Sequence, residues 1–413
     1  MSRAHQLMAP RRKLLASCGH NLEASPATTA STFNIERLPM KFRLKSSGPT
    51  IFRLSAALSR TRLTASLCVA MLPLVASAAE EVGSLSKHAD IRSMCGTKPA
   101  VVALTDGFGG GAWFKTVAQE FKDELAKCKN VTKVIYLNAN GDQQKYNSDI
   151  NSLVAQKVDV LVSFTHFGDA SLPALRSASR AGVTVVPYFS KIAGTPGKDY
   201  VAVVYQDPAR NGVLWSEWLG KTLKNGNVVF LGGAAGGASS QKFMDGFKVG
   251  LKRYPGLKLL DENFIVTNWN PADGQKAVAG LIAKYPKIDG IASDYGVTTA
   301  AAIKAFEQAG LPIPAQATLA SSNELNCKYL EYKKQGKAWK YYSLDGTTTL
   351  VRVAARRALS AFEGTPNNEA LGMSPYAYVD SETGVEPKCD TSLPPDADLS
   401  GQLSPASLKQ LFQ

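Results

Sequence analysis

Ten side chains suited to gripping a small molecule stand at or just beyond the ends of short apolar runs in this chain. Asp106 closes the run at 100–104, and Trp113 and Phe114 follow three glycines at 109–111. His166 follows the run at 158–164, and Phe189 the run at 183–188. Gln241 lies just past a glycine-rich stretch at 232–237. Trp269 stands between Asn268 and Asn270, Asp294 between Ser293 and Tyr295, and Asn323 between Ser322 and Glu324. Asp345 follows a strand expected near 339–344. Carboxylates and amides pair with hydroxyl groups, and indole and phenyl faces receive C–H-rich surfaces. Any one of these residues could be a helix cap or a turn. Their recurrence at successive positions of the same kind points to a shared binding cleft.

Covalent chemistry fits these residues less well. Gly107 to Ala112 satisfies G-x-G-x-x-A, the dinucleotide fingerprint. The acid expected after the next strand is replaced by Asn138-Ala139-Asn140, and two aromatic rings open the helix where a pyrophosphate needs bare backbone. Residues 232–241 lack the Gly-Lys-Ser/Thr ending of a phosphate loop. His166 could act as a base, but no G-x-S-x-G nucleophile accompanies it. Four His and no C-x-x-C or H-x-x-x-H pair give no metal-ligand spacing. No cofactor, no metal and no catalysis are therefore expected.

The chain has 413 residues, enough for two or three domains with a sizeable core. With 45% apolar and 20% charged residues it is not a disordered chain. Its net charge of +13 is concentrated at the front, where residues 1–78 carry 11 Lys and Arg against 2 acids. No basic stripe follows, so nucleic acid is not an expected partner. Lys41, Arg43, Lys45, Arg60 and Arg62 precede an apolar run at 63–75 and the small-x-small sequence Ala76-Ser77-Ala78. This is the layout of a secretory signal cleaved after Ala78, which predicts export to the periplasm. Residues 1–39 add nothing such a signal needs, and Met40 would be an ordinary start.

From residue 98 onward, Val/Ile/Leu runs alternate with segments of helical period. The first series predicts strands at 100–104, 132–137, 158–164 and 183–188, with helices at 112–127, 143–156 and 169–181. The second predicts strands at 227–231, 257–266, 288–292 and 317–321, with helices at 239–253, 271–285 and 297–309. Residues 201–224 join the two series, and a strand near 339–344 and a helix at 347–362 follow the second. Dense apolar strands suit sheets covered on both faces. The fold class is α/β, with two doubly wound parallel-sheet lobes whose ligand sits at the carboxyl ends of the strands.

At this level the sequence resembles the ribose-binding-like periplasmic proteins that serve ABC importers, the type I solute-binding fold. The likeness runs from about 98 to 380. It is carried by AWF at 112–114, NANGDQQKYNSDINSLVAQKVDVLVSF at 138–164, AGVTVVPY at 181–188 and YQD at 205–207. It continues through SSQKFMDGF at 239–247, NWNPADGQKAVAGLIAKYP at 268–286 and IDGIASDYGVTTAAAIKAFEQAG at 288–310. The resemblance implies a three-segment hinge with crossings near 205–207, 343–346 and 370–374. It implies one lobe from 79–205 plus 345–372 and another from 206–344 plus 373–413. Trp113, Phe114 and Trp269 match stacking aromatics, Asp294 matches a sugar-binding Asn, and Asn323 or Glu324 falls near a binding Asp. Phe189-Ser190 stands in place of Asp-Arg, Phe243 in place of an Arg, and Ser343-Leu344-Asp345 in place of a Gln. Ribose itself is therefore not the expected ligand.

Cys95, Cys128, Cys327 and Cys389 remain once the front segment is set aside, and four cysteines allow three pairings. The lobe assignment drawn from the resemblance selects Cys95–Cys128 and Cys327–Cys389, because bridges within lobes leave closure free. The expected role is an exported monomer that binds a small sugar or polyol and hands it to the membrane permease of an ABC importer. A periplasmic sensor or chemoreceptor domain shares these features. A repressor of the lactose-repressor kind would need a helix-turn-helix where the apolar front segment stands, and an enzyme acting on a small carbohydrate would need the chemistry found missing above.

Overall fold

A computed structural model describes residues 82–413. The front segment 1–78 and its cleavage after Ala78 lie outside the described residues. The first lobe begins with β1 (Val82–Ser84), β2 (Ala100–Asp106), α1 (Ala112–Leu125), β3 (Val131–Asn138), α2 (Gln143–Ala155), β4 (Val160–Phe164), α3 (Leu172–Arg180), β5 (Thr184–Phe189) and β6 (Val204–Gln206). The second lobe follows with α4 (Pro208–Leu223), β7 (Gly226–Gly232), α5 (Ala238–Leu251), β8 (Leu257–Leu259), β9 (Ile265–Val266), α6 (Pro271–Lys284), β10 (Gly290–Ser293), α7 (Gly296–Gln308), β11 (Ala315–Leu319), α8 (Asn323–Lys334) and β12 (Tyr341–Leu344). Then come α9 (Leu350–Glu363), β13 (Gly372–Ser374), β14 (Ala377–Asp380) and α10 (Pro405–Leu411).

Two seven-stranded sheets result, one in the order β1-β13-β6-β5-β4-β2-β3 and one in the order β14-β12-β11-β10-β7-β8, with β9 also on β7. All pairings are parallel except that of the edge strand β14 with β12. The central strands are buried on both faces, as in the wholly buried β4 and β11, which is why they read as continuous apolar runs. The chain passes between the sheets after β6, after β12 and between β13 and β14. The carboxyl ends of both sets of parallel strands border the space between the lobes.

Local chemistry sets the helix starts. Asp142, Asp207, Asn270 and Ser322 each accept from backbone N–H groups at the first turns of α2, α4, α6 and α8, and Pro208 and Pro271 occupy first-turn positions. α4 and α5 cross closely because Gly246 has no side chain. A Cβ there would stand 1.8 Å from the Ala209 carbonyl oxygen. α9 lies against β4, β5 and β6 and presents Arg352 and Arg356 to α1. Arg352 bonds Glu120 and Glu124, and Arg356 bonds Glu124 and Glu369, all buried or nearly so.

Both cysteine pairs form as expected, Cys95–Cys128 and Cys327–Cys389. Several elements depart from the pattern reading. The strand expected over 257–266 is interrupted, because Asp261-Glu262-Asn263 turn the chain out of the sheet between β8 and β9. The helix expected from 169 starts at Leu172 behind a short 3-10 turn at 168–171, and Asp169 accepts from the Ala193 N–H rather than capping the helix. α8 is a helix that the sequence pattern did not suggest.

The segment beyond β14 runs across the hinge. Asn323 donates to the carbonyls of Asp390 (2.7 Å) and Leu393 (3.2 Å), holding the tail beside the second disulfide. The Gly346 N–H then donates to Ser400 Oγ (2.6 Å), and Gln402 and Leu403 N–H groups donate to Glu120 of α1. The tail thus packs on the second lobe, where Leu399, Leu403 and Leu408 join its apolar cluster, and reaches across to Glu120 of the first.

Candidate functional site

A cavity of about 130 Å³ lies between the lobes. Phe108, Trp113, Phe114, Phe164, His166 and Phe189 line it from the first lobe. Ser239, Phe243, Trp269, Asp294, Tyr295, Leu319 and Ala320 line it from the second, and Thr347 from the second crossing. Of the ten side chains singled out in the sequence, six therefore meet around one space: Trp113, Phe114, His166, Phe189, Trp269 and Asp294. The lobes touch across it. Phe108 meets Trp269 edge-on at 5.3 Å between centroids, and Lys242 of α5 donates to the Lys191 carbonyl (3.1 Å).

The backbone is strained at this place. Phe189, Trp269, Ala320 and Thr347 hold φ of 100°, 49°, 49° and 57°, and Asn268 beside them 51°. Such conformations cost on the order of 1–3 kcal/mol each and collect at functional sites. They arise where strands end and the chain must turn each side chain into the gap.

The first lobe supplies an aromatic wall. Phe164 packs on Phe189 at 4.7 Å and on Phe114 at 5.5 Å, and Trp113 meets Phe114 edge-on at 4.8 Å. Trp113 also donates its indole N–H to the Gly346 carbonyl (2.6 Å), so this ring is keyed to the hinge. His166 lies among Phe108, Phe167 and Trp269, and burial holds its imidazole below its usual pKa, so it is a neutral hydrogen-bonding group.

The second lobe supplies the carboxyl. Asp294 is 6% exposed, and burial raises its pKa to about 7. Trp269 Nε1–H donates to one of its oxygens (3.1 Å) and the Ser240 hydroxyl to the other. The indole lies flat over Gly233, where a Cβ would fall 1.9 Å from the ring. The glycine loop thus makes room for Trp269 rather than for a ligand's approach to bare backbone. Thr347 is buried, and its hydroxyl has no partner. No Lys or Arg among the described residues lines the cavity.

Four expected site residues stand elsewhere. Asp106 accepts from the Phe108 N–H (2.9 Å) and the Tyr136 hydroxyl, so it fixes the loop that presents Phe108. Gln241 is exposed on α5 and bonds Asp245 (2.8 Å). Asn323 holds the tail, and its neighbour Glu324 pairs with Lys304. Asp345 accepts from Thr347 and Tyr376 N–H groups, both at 3.0 Å, joining the second crossing to the third. These side chains are drawn to nearby backbone or side-chain partners, and strand-end position alone does not separate such staples from ligand arms. Phe108, Phe164, Ser239, Leu319, Ala320 and Thr347 also line the cavity and were not among the expected contacts. Phe108, set between two glycines, carried a readable signal, and the others did not.

Comparison with known proteins agrees with this architecture. The chain is 27% identical over 205 residues to a xylitol-binding protein of Mycolicibacterium smegmatis, covering 48% of this chain and 57% of that protein. It is 26% identical over 183 residues to the D-xylose-binding periplasmic protein of Escherichia coli, covering 43% and 54%. The aligned part thus spans about half the length of these curated relatives. Among solved structures, an ABC transporter solute-binding protein from Actinobacillus succinogenes with bound D-allose superposes with a TM-score of 0.58 at 21% identity, covering 68% of this chain and 98% of that one. Another, from Bacillus halodurans with bound myo-inositol, gives 0.58 at 16% identity, covering 70% and 96%. The fold is that of type I periplasmic binding proteins. The periplasmic binding protein domain family matches residues 102–362, more than half of the chain, and the chain belongs to that family.

Proposed function

We infer that this chain is an exported solute-binding protein that captures a small sugar or polyol between its lobes and delivers it to an ABC importer. The observation that carries this reading is the cavity itself, where rings and a buried carboxyl from two separate lobes enclose a space sized for one small molecule. Trp113, Phe114, His166, Phe189, Trp269 and Asp294 are the proposed contacts, joined by Phe108, Phe243, Tyr295 and Thr347. The binding of xylitol or xylose named for its relatives supports the ligand class.

The mechanism needs no bond-making. A ligand that touches both lobes gains contacts only when they meet, so it shifts the population toward the closed form by that difference. The lobes are 79–205 plus 345–372 and 206–344 plus 373–413, and the closed face is what a permease would recognise. Export uses the signal within 1–78, cleaved after Ala78, and the working form is a monomer. Titration calorimetry of the purified protein against pentoses, hexoses, pentitols and inositols tests the reading. One-to-one binding of at least one of them is expected, and silence across the panel would overturn it.

A further inference from the structure

The cavity is divided in its chemistry, and the division narrows what it can hold. Its first-lobe wall is made largely of rings, with Phe108, Phe114, Phe164 and Phe189 in mutual contact or in contact through Phe114. The polar groups gather around Trp269 instead: the Asp294 carboxyl accepts its Nε1–H, and the His166 imidazole lies 6.1 Å from its ring between centroids. Asp294 already accepts from Trp269 and Ser240, but a carboxyl has lone pairs left for further hydroxyl donors.

A sugar with hydroxyls around its whole rim would press some of them against the phenylalanines. There they would lose water and gain no partner, which lowers affinity sharply. A molecule whose hydroxyls lie along one edge and whose other edge is C–H or methyl meets both sides at once. We propose that the cavity selects a deoxygenated polyol or sugar, with its hydroxyl edge on Asp294 and His166 and its bare edge on Phe114, Phe164 and Phe189. The proposal rests on the solute-binding reading above and sharpens its ligand class.

The test is calorimetry on the full exported chain with matched pairs differing by one oxygen. These are 6-deoxyhexoses against their 6-hydroxy parents, and 1-deoxypentitols against the parent pentitols. In each pair that binds, the deoxy member is expected to bind at least about tenfold tighter. Equal or tighter binding of the parents overturns this inference and leaves the sugar reading intact. If no carbohydrate binds but cis-1,2-cyclohexanediol does, the divided cavity stands and the sugar reading falls. If nothing binds, both fall. Phe189→Asn places an amide in the wall at a position of positive φ, which Asn tolerates better than most residues. With folding checked by circular dichroism, this variant is expected to reduce the preference within a pair by at least about tenfold. An unchanged preference would contradict the assignment of Phe189 to the bare edge.

Discussion

Replacing Gly233 with Ala attacks the site through Trp269 without substituting any proposed ligand contact. The new Cβ would stand 1.9 Å from Trp269 Cε2 and 2.2 Å from Cζ2, where carbons normally rest about 3.5–4.0 Å apart. The indole must therefore shift by roughly 1.5–2 Å. Trp269 sits at φ 49°, so its backbone has little room to follow. Its Nε1–H bond to Asp294, 3.1 Å long, would stretch past the limit of a hydrogen bond. Leaving a buried acceptor short of a partner costs about 1–3 kcal/mol. Loss of the edge-on contact with Phe108 adds about 0.5–1.5 kcal/mol in the closed form. Together these amount to about 1.5–4.5 kcal/mol, at most roughly 10- to 1,600-fold in affinity. Calorimetry with the tightest ligand from the polyol panel reads the loss, and thermal unfolding reads the cost to the unliganded protein. Gly280→Ala, at a helical position with nothing within 4 Å of the added carbon, is the control and should leave affinity unchanged. Wild-type affinity in Gly233→Ala would show that the indole's seat on the glycine loop does not shape the site.

Further outcomes follow from other parts of the molecule. Asp294 titrates near 7 in the folded chain and near 4 in the unfolded one, so its burial costs nothing below about pH 4, progressively more up to about pH 7, and a constant amount above it. Wild type should therefore gain stability relative to Asp294→Asn as the pH is lowered from 7.5 to 5, by up to about 1.4 kcal/mol per unit in urea unfolding. A pH-independent difference would contradict the buried, neutral carboxyl. Asn323→Ala should lower stability by about 1–3 kcal/mol while leaving ligand affinity unchanged, since this amide holds the tail, and a calorimetric loss would return it to the site. The disulfides close separations of 33 and 62 residues, so replacing either pair with Ala should cost about 4 kcal/mol in chemical unfolding on loop-entropy grounds. Glu120→Gln removes the charge that meets Arg352 and receives the tail, and should cost about 3–5 kcal/mol by the same measurement.

The strand–helix alternation of both lobes was legible because buried parallel strands leave unbroken apolar runs. Val160–Phe164 and Ala315–Leu319 are buried along their whole length. Trp269 and Asp294 could be found because they combine large or charged groups with the position just beyond a strand. Asp106, Asn323 and Asp345 share that position but pair with backbone groups, which only the three-dimensional arrangement reveals. α8 is mostly polar on the surface and buries Asn323, Leu325, Asn326 and Tyr329, so its apolar period is weak. The tail's path over the hinge depends on hydrogen bonds between residues hundreds of positions apart, such as Gln402 to Glu120, which no local pattern encodes. Thr347 escaped notice because a single hydroxyl in a crossing segment has no sequence signature.

A crystal structure of the protein with its tightest-binding polyol or sugar tests the central claim most directly. Density for one intact solute is expected between Trp269 and the Phe114–Phe164 wall, with a hydroxyl on Asp294. Solute bound to one lobe alone, or at the surface groove beside Trp339, would contradict it.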